Sequence, residues 1–320
     1  MNQPVHFGYN PPSGDRGLEG VDPATYVRDL ERMLEVIGPA VDSFWVSDHF
    51  MSNDRYRLEC WTLLTWIAAR HPEISIGTIV AAVGYRHAPL FAKMLASLDA
   101  LMASSAEATG KPRARPILGL GAGWVEHEYR GYGYDFPSAR ERIAQLDEAL
   151  TVSKLLWEGG PVDHEGRFYE LDGALSIPAT QPRPLIMVGG EGPTTMAVAA
   201  RQADWWNVLH RPPDVLRSTL DRMDATCEDI GRDPATLRRT MYLRVFLDDD
   251  SDRARHRAGD RLDDEFPAFA GDAAAFTDHL ADLVEQGIDG FQLVFSGWPD
   301  TRDLELFAER VRPAFPRETD

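Results

Sequence analysis

Eight short β-branched or apolar runs recur along this chain, and most of the intervals between them are amphipathic; that alternation constrains the fold more than any other feature. The runs are Val5–Tyr9, Ser43–Ser47, Ile74–Val83, Pro116–Leu120, Pro184–Val188, Trp205–Leu209, Thr240–Leu247 and Gly290–Phe295. Apolar residues spaced three and four apart predict helices over Tyr26–Ile37, Trp61–Arg70, Pro89–Met102, Glu141–Trp157, Thr195–Gln202, Pro213–Ile230 and Ala273–Gln286, with a last one over about Arg302–Arg312. Asp22-Pro23 places an acceptor before a first-turn proline, a helix-start signal. Strands separated by helices call for parallel βαβ units. Eight of them favour an α/β fold of the closed (β/α)8 barrel type over a doubly wound sheet. No repeat or low-complexity tract interrupts the pattern, so residues 1–320 read as a single domain.

Two insertions are expected, after strands four and seven. Val162–Ala179 carries a hairpin-like His164-Glu165-Gly166-Arg167 turn, and Asp248–Pro267 is a charged excursion before the penultimate helix. The outer wall of any pocket is expected from Val162–Ala179 and Asp248–Phe269.

Composition narrows the function. With 33 basic and 51 acidic side chains, the formal charge is −18, which speaks against nucleic-acid binding as the main activity. An anionic ligand would then need a local donor site such as a helix N-terminus. Cys60 and Cys227 are too few for a disulfide framework and have no adjacent basic activator, so both read as buried, idle thiols. The N-terminal MNQPVHFGYN has no basic-then-apolar signal and no 18-residue apolar stretch occurs, which points to a cytoplasmic protein without membrane association.

Barrel active sites lie at the C-terminal ends of the strands, so the strand exits are the positions to inspect. Strand two leaves through Asp48-His49 without a turn residue. That pair reads either as a cap with a polar loop histidine or as an acid/base pair in which Asp48 fixes the imidazole tautomer or binds a ligand. One Asp and one His are too few for a metal, and no His-x-His follows strand one, where only His6 stands. No metal site is expected. Strand three continues past Thr78-Ile79-Val80-Ala81-Ala82 into Tyr85-Arg86-His87, small and apolar groups that suit a flat aromatic ligand or simply a buried strand. Strand four ends in Gly119-Leu120-Gly121-Ala122-Gly123-Trp124, which is not a Gly-x-Gly-x-x-Gly dinucleotide loop. Strand five ends in Gly189-Gly190-Glu191-Gly192-Pro193 before a helix, either a structural turn or a phosphate-binding amide nest.

Taken in order, Val46-Ser47-Asp48-His49-Phe50, Gly77-Thr78-Ile79-Val80, Tyr85-Arg86-His87, Leu118-Gly119-Leu120-Gly121-Ala122-Gly123-Trp124, Val188-Gly189-Gly190 and Ala203-Asp204-Trp205-Trp206-Asn207 resemble the bacterial-luciferase-like flavin and deazaflavin oxidoreductases. The resemblance implies a barrel that binds coenzyme F420 or FMN at the strand C-termini, and Ser-Asp-His at strand two is closer to the F420-dependent branch. In that branch Asp48 would contact the deazaflavin and His49 would serve proton transfer. A non-prolyl cis peptide would fall on Ile79–Val80, and Ala82 would lie beside the ring. Gly123 and His127 would take ring- and tail-contact positions, with Gly189, Gly190 and Glu191 in the phosphate loop. A homodimer acting on a small organic substrate is also implied.

The sugar-phosphate dehydrogenases of that branch carry a glutamate where this chain has Trp124, and a tryptophan near Asn53, so sugar-phosphate oxidation is not expected. The segment Met102–Lys111 is longer than the family's usual turn and should alter surface or oligomer contacts. Competing readings are an FMN-dependent monooxygenase, a non-catalytic flavin-binding relative and a metal-dependent barrel hydrolase.

Overall fold

The computed structural model describes residues 4–12, 21–51 and 57–317. Its strands are β1 (His6–Tyr9), β2 (Ser43–Val46), β3 (Ser75–Thr78), β4 (Ala81–Ala82), β5 (Ile117–Gly121), β6 (Pro161–Glu165), β7 (Glu170–Leu175), β8 (Leu185–Gly189), β9 (Trp205–Leu209), β10 (Arg238–Leu247), β11 (Phe269–Gly271) and β12 (Gly290–Phe295). Parallel pairing runs β1–β2–β3–β5–β8–β9–β10–β12 and returns from β12 to β1. That circuit is a closed eight-stranded barrel. The third strand is split, with β4 pairing β5 beyond the break.

The helices are α1 (Pro23–Ile37), α2 (Cys60–Arg70), α3 (Ala88–Thr109), α4 (Glu126–Gly131), α5 (Ala139–Glu158), α6 (Pro193–Gln202), α7 (Pro213–Asp229), α8 (Ser251–Ala258), α9 (Ala273–Glu285) and α10 (Arg302–Leu306). Their ends follow local chemistry. Asp22 caps α1 by accepting from the Ala24 and Thr25 amides, and Ser138 and Glu141 form a reciprocal capping box on α5. Cys60 and Cys227 are free and buried, and burial pushes both thiols upward.

Inside the barrel Trp45 of β2 is a fully buried filler, 6.3 Å from the indole of Trp205. A Cβ on Gly8 would lie 2.2 Å from its Nε1, and one on Gly77 would lie 2.4 Å from its Cζ3. Glycine on both flanking strands therefore makes room for the indole, whose Nε1 donates to Ser43 Oγ at 2.6 Å. The apolar side chains on the opposite faces of the strands pack outward against the helices, in one core that includes Phe7, Phe44, Val46, Met241 and Phe291.

Three expectations need correction. Met102–Lys111 is mostly not a long turn: α3 runs on to Thr109 and stops at Gly110, whose φ of 68° glycine adopts without penalty. The Val162–Ala179 insertion forms the β6–β7 hairpin, but it lies along α5, where Glu148 accepts from the Arg167, Phe168 and Tyr169 amides. None of its residues lines the cavities described below. The Asp248–Pro267 excursion contains a helix, α8, which burial of only Ala254 and Ala258 anchors.

Below that excursion His279 of α9 stacks on Phe269 at 5.1 Å and meets His210 edge-on at 5.1 Å. Burial, reinforced by His210, lowers the His279 pKa to about 4. The unfolded chain takes up that proton from about pH 6.5 downward, and the folded one only near 4. Stability is therefore lost as pH falls through this window. Relative to a His279→Phe variant, wild type should lose roughly 2–3 kcal/mol between pH 7.5 and 4.5. Urea denaturation of both proteins at each pH measures it; parallel losses would refute the assignment.

Candidate active site

The exits of β2, the split third strand, β5 and β8 surround a cavity of about 260 Å³. Eight of the residues singled out from sequence line it: Asp48, His49, Ile79, Val80, Ala82, Gly123, Gly189 and Gly190. The floor is built at the break in strand three, where the Ile79–Val80 peptide is cis, as the resemblance implied. Val80 lies against two glycines: added Cβ atoms would approach its methyls to 2.7 Å from Gly121 and 3.0 Å from Gly189. Missing side chains on β5 and β8 thus leave a flat apolar surface.

His49 projects into this cavity, and the carboxylate that meets it is Glu128 of α4, with Nδ1 and Oε2 3.0 Å apart. The Glu128 side chain is 1% exposed and also accepts from the Tyr85 hydroxyl at 2.9 Å. The Met51 amide donates to its other oxygen at 3.4 Å. With a fixed acceptor at Nδ1, His49 holds its proton there and leaves Nε2 for the cavity. Burial, with Glu128 beside it, pushes the Tyr85 phenol well above its ordinary range, so it stays a donor. Trp124, 78% exposed, stands edge-on to the imidazole at 6.2 Å.

Asp48 is bound differently from the acid/base pairing considered above. Arg86 reaches its two oxygens at 2.6 and 3.0 Å, and the Ala82 amide donates to it at 3.2 Å. Burial disfavours the Arg86 charge, yet its bonds to Asp48 and Glu59 outweigh that and raise its pKa. Glu59 also caps α2 through the Trp61 and Thr62 amides. This chain of charges ties the β2 exit to the loop after β4 and to the start of α2. It makes Asp48 a brace for the cavity wall, and the tautomer of His49 is set by Glu128.

Two sequence candidates sit elsewhere. His127 is exposed on α4 and is not among the cavity-lining residues. The Glu191 carboxylate turns toward β9, accepting from the Leu209 amide at 2.9 Å and Arg211 at 2.8 Å. Asn53 lies outside the described residues. Glu128 escaped the sequence reading, although Val125, Glu128 and Tyr129 form a buried i, i+3, i+4 stripe in a segment whose other residues are exposed. Among the described residues, no three His, Cys, Asp or Glu side chains converge as metal ligands, and no helix is long and apolar enough to cross a membrane.

A tricyclic ring fits the flat floor at Val80, Gly121 and Gly189. An anionic tail has a donor site in α6, whose N-cap, Gly192, supplies no side chain to occupy the first-turn amides. Gly190, at φ 131°, lets the loop turn into that helix.

Comparison with known proteins agrees with this architecture. The chain is 31% identical over 221 residues to an F420-dependent glucose-6-phosphate dehydrogenase of Kineococcus radiotolerans, spanning 67% of this chain and 62% of that relative. It is 27% identical over 277 residues to a phthiodiolone/phenolphthiodiolone dimycocerosates ketoreductase of a Mycobacterium species, covering 77% and 69% of the two chains. Among solved structures, an F420-dependent secondary alcohol dehydrogenase in complex with an F420–acetone adduct superposes with a TM-score of 0.76 at 21% identity, over 98% of this chain and 99% of that one. EDTA monooxygenase from a Chelativorans species superposes at 0.81 and 16% identity, over 99% and 96%. The luciferase-like monooxygenase family model matches residues 5–309, and the chain belongs to that family.

Proposed function

We propose that this protein is an F420-dependent oxidoreductase acting on a small organic substrate. When bound, the deazaflavin supplies the redox chemistry, exchanging a hydride at C5. The observation that carries the reading is the glycine-and-valine floor beside a histidine whose Nδ1 is fixed by a buried carboxylate. Val80, Gly121 and Gly189 hold the ring. Asp48, held by Arg86, keeps the β2 exit in place and borders the ring. The α6 amides with Gly189 and Gly190 hold the phosphate. His49 moves the accompanying proton through Nε2, and Glu128 orients it.

Curated relatives named as F420-dependent dehydrogenases support the cofactor. Trp124, in place of the acid those sugar-phosphate enzymes carry, argues for a different substrate. Titration of F420 against FMN is the deciding experiment, with saturable binding of F420 expected to be at least about tenfold tighter. Preferential FMN binding with oxygen consumption would replace this reading with the monooxygenase one. The resemblance also supports a homodimer in the cytoplasm, which sedimentation and cell fractionation test.

Glu128→Gln keeps the shape of the bond to His49 and removes its charge. Turnover is expected to fall about 10–100-fold with F420 affinity unchanged, because the bond that orients the imidazole loses its charge assistance. An unchanged turnover would make Glu128 a packing residue only.

A further inference from the structure

The first cavity lies over β2 to β8; a second and larger one, about 490 Å³, lies over β9, β10 and β12, so the two share out the mouth of the barrel. That volume falls in the range of roughly 300–1,000 Å³ usual for small-molecule sites. Three aromatic walls come from three separate elements. Phe246 stands on β10, Trp298 follows β12, and Phe266 belongs to the segment between α8 and β11. Phe246 and Trp298 are buried, and Trp298 packs on Tyr26 of α1 with ring centroids 5.3 Å apart. Phe266 is fixed as well. Arg244 donates to its carbonyl, the Arg211 guanidinium stands over its ring at 4.2 Å, and the carbonyl of the next residue, Pro267, meets His210 Nδ1 at 2.7 Å. Walls held in this way need little ordering when a ligand arrives.

The positive charge of the lining is already matched. Arg244 donates to Asp264 at 2.8 Å. Arg257 donates to both Asp303 oxygens at 3.0 Å and to the Leu247 carbonyl at 3.0 Å, and Asp248 lies 3.9 Å from its Nη1. Burial raises the Asp303 pKa to about 6, so that carboxylate is ionised at pH 8. Arg261, the third guanidinium of the lining, is not free. Among the described residues no lysine lines the cavity. An entering carboxylate could reach Arg244 only by displacing Asp264, which exchanges one ion pair for another. Any other anion would be desolvated with no spare cation to meet it, and that is costly.

We propose that this cavity is the substrate chamber and that it takes an uncharged, ring-bodied small molecule, seated between Phe246, Phe266 and Trp298. Offset and edge-to-face contacts with aromatic walls favour a flat ring. A dianionic, polyhydroxylated sugar phosphate suits neither these walls nor a lining whose charges are already paired. The proposal rests on the first cavity being the cofactor site.

Calorimetric titration of the full chain at pH 8, alone and with saturating F420, tests it with 2-naphthamide, 2-naphthoate and glucose 6-phosphate. The amide is expected to bind at least about tenfold more tightly than the isosteric acid, equally well with F420 present, and glucose 6-phosphate should not displace it. Phe266→Ala should weaken amide binding by about tenfold and leave F420 affinity unchanged. Naphthoate binding as tightly as the amide, no saturable amide binding, or displacement by glucose 6-phosphate would overturn the proposal. So would amide binding that F420 abolishes or that Phe266→Ala leaves untouched, since the ring would then lie elsewhere. The wild-type comparison decides even if the variant does not fold. Failure of F420 to bind, with the amide preference and its dependence on Phe266 intact, refutes the cofactor assignment alone.

Discussion

His49→Ala is expected to lower single-turnover hydride transfer by about 10²–10⁴-fold, the range for a positioned proton donor or acceptor. F420 affinity should change little, because the floor at Val80, Gly121 and Gly189 and the amides of α6 do not depend on the imidazole. The substitution removes the partner of Glu128 but leaves that carboxylate its bonds from Tyr85 and the Met51 amide, so the fold should persist. Stopped-flow absorbance of the reduced and oxidised cofactor measures the rate, and fluorescence titration the affinity. An unchanged rate would remove His49 from proton transfer. A parallel loss of rate and affinity would make it a binding residue.

Gly119→Ala should be the most damaging single methyl in the barrel. A Cβ there would lie 1.8 Å from the carbonyl oxygen of Thr78, on the neighbouring strand. Neither atom belongs to a flexible side chain, so relief requires β3 and β5 to separate where Thr78 Oγ1 donates to the Gly119 carbonyl. The expected cost is more than about 4 kcal/mol, at the far end of single-substitution effects, read as loss of the folded protein or a collapse of its urea midpoint. Gly133→Ala is the control. Its φ of 77° is unfavourable for alanine, but nothing lies within 4 Å of the added methyl. That change should cost about 1 kcal/mol, and equal losses at the two positions would show that contact with Thr78 is not the cause.

The strands were legible because the face turned to the helices is apolar, with Phe7, Phe44, Met241 and Phe291 on it, while the other face is equally buried and its polar groups, such as Asn207, Thr240 and Gln292, bond one another. The strand exits were legible for a related reason: Asp48, His49 and the glycines of β5 and β8 break the apolar pattern where the chain meets a ligand-sized space. What escaped was set by long-range partners or weak periodicity. Arg86 stands 38 residues from the carboxylate it holds, and Glu128 stands 79 from His49. Nothing local announces either pairing. The small polar stretch Ala103–Thr109 reads as a turn until α3 is seen to continue through it, and α8 has too few apolar residues to mark a buried face.

The way the barrel mouth is shared out has a consequence for how such a chain can be cut and rejoined. Residues lining the candidate active-site cavity run from Asp48 to Thr195, and those lining the second cavity, of about 490 Å³ at the exits of β9, β10 and β12, run from Leu209 to Trp298, with Pro12 the one exception. A boundary between α6 and β9 therefore separates them in the linear sequence. A chimera joined near Ala203, with its C-terminal segment taken from another family member, should keep the parent's preference between F420 and FMN in a binding titration while the whole lining of the second cavity apart from Pro12 is exchanged. Neighbouring pockets encoded in separate stretches can drift independently, one under constraint while the other is remade.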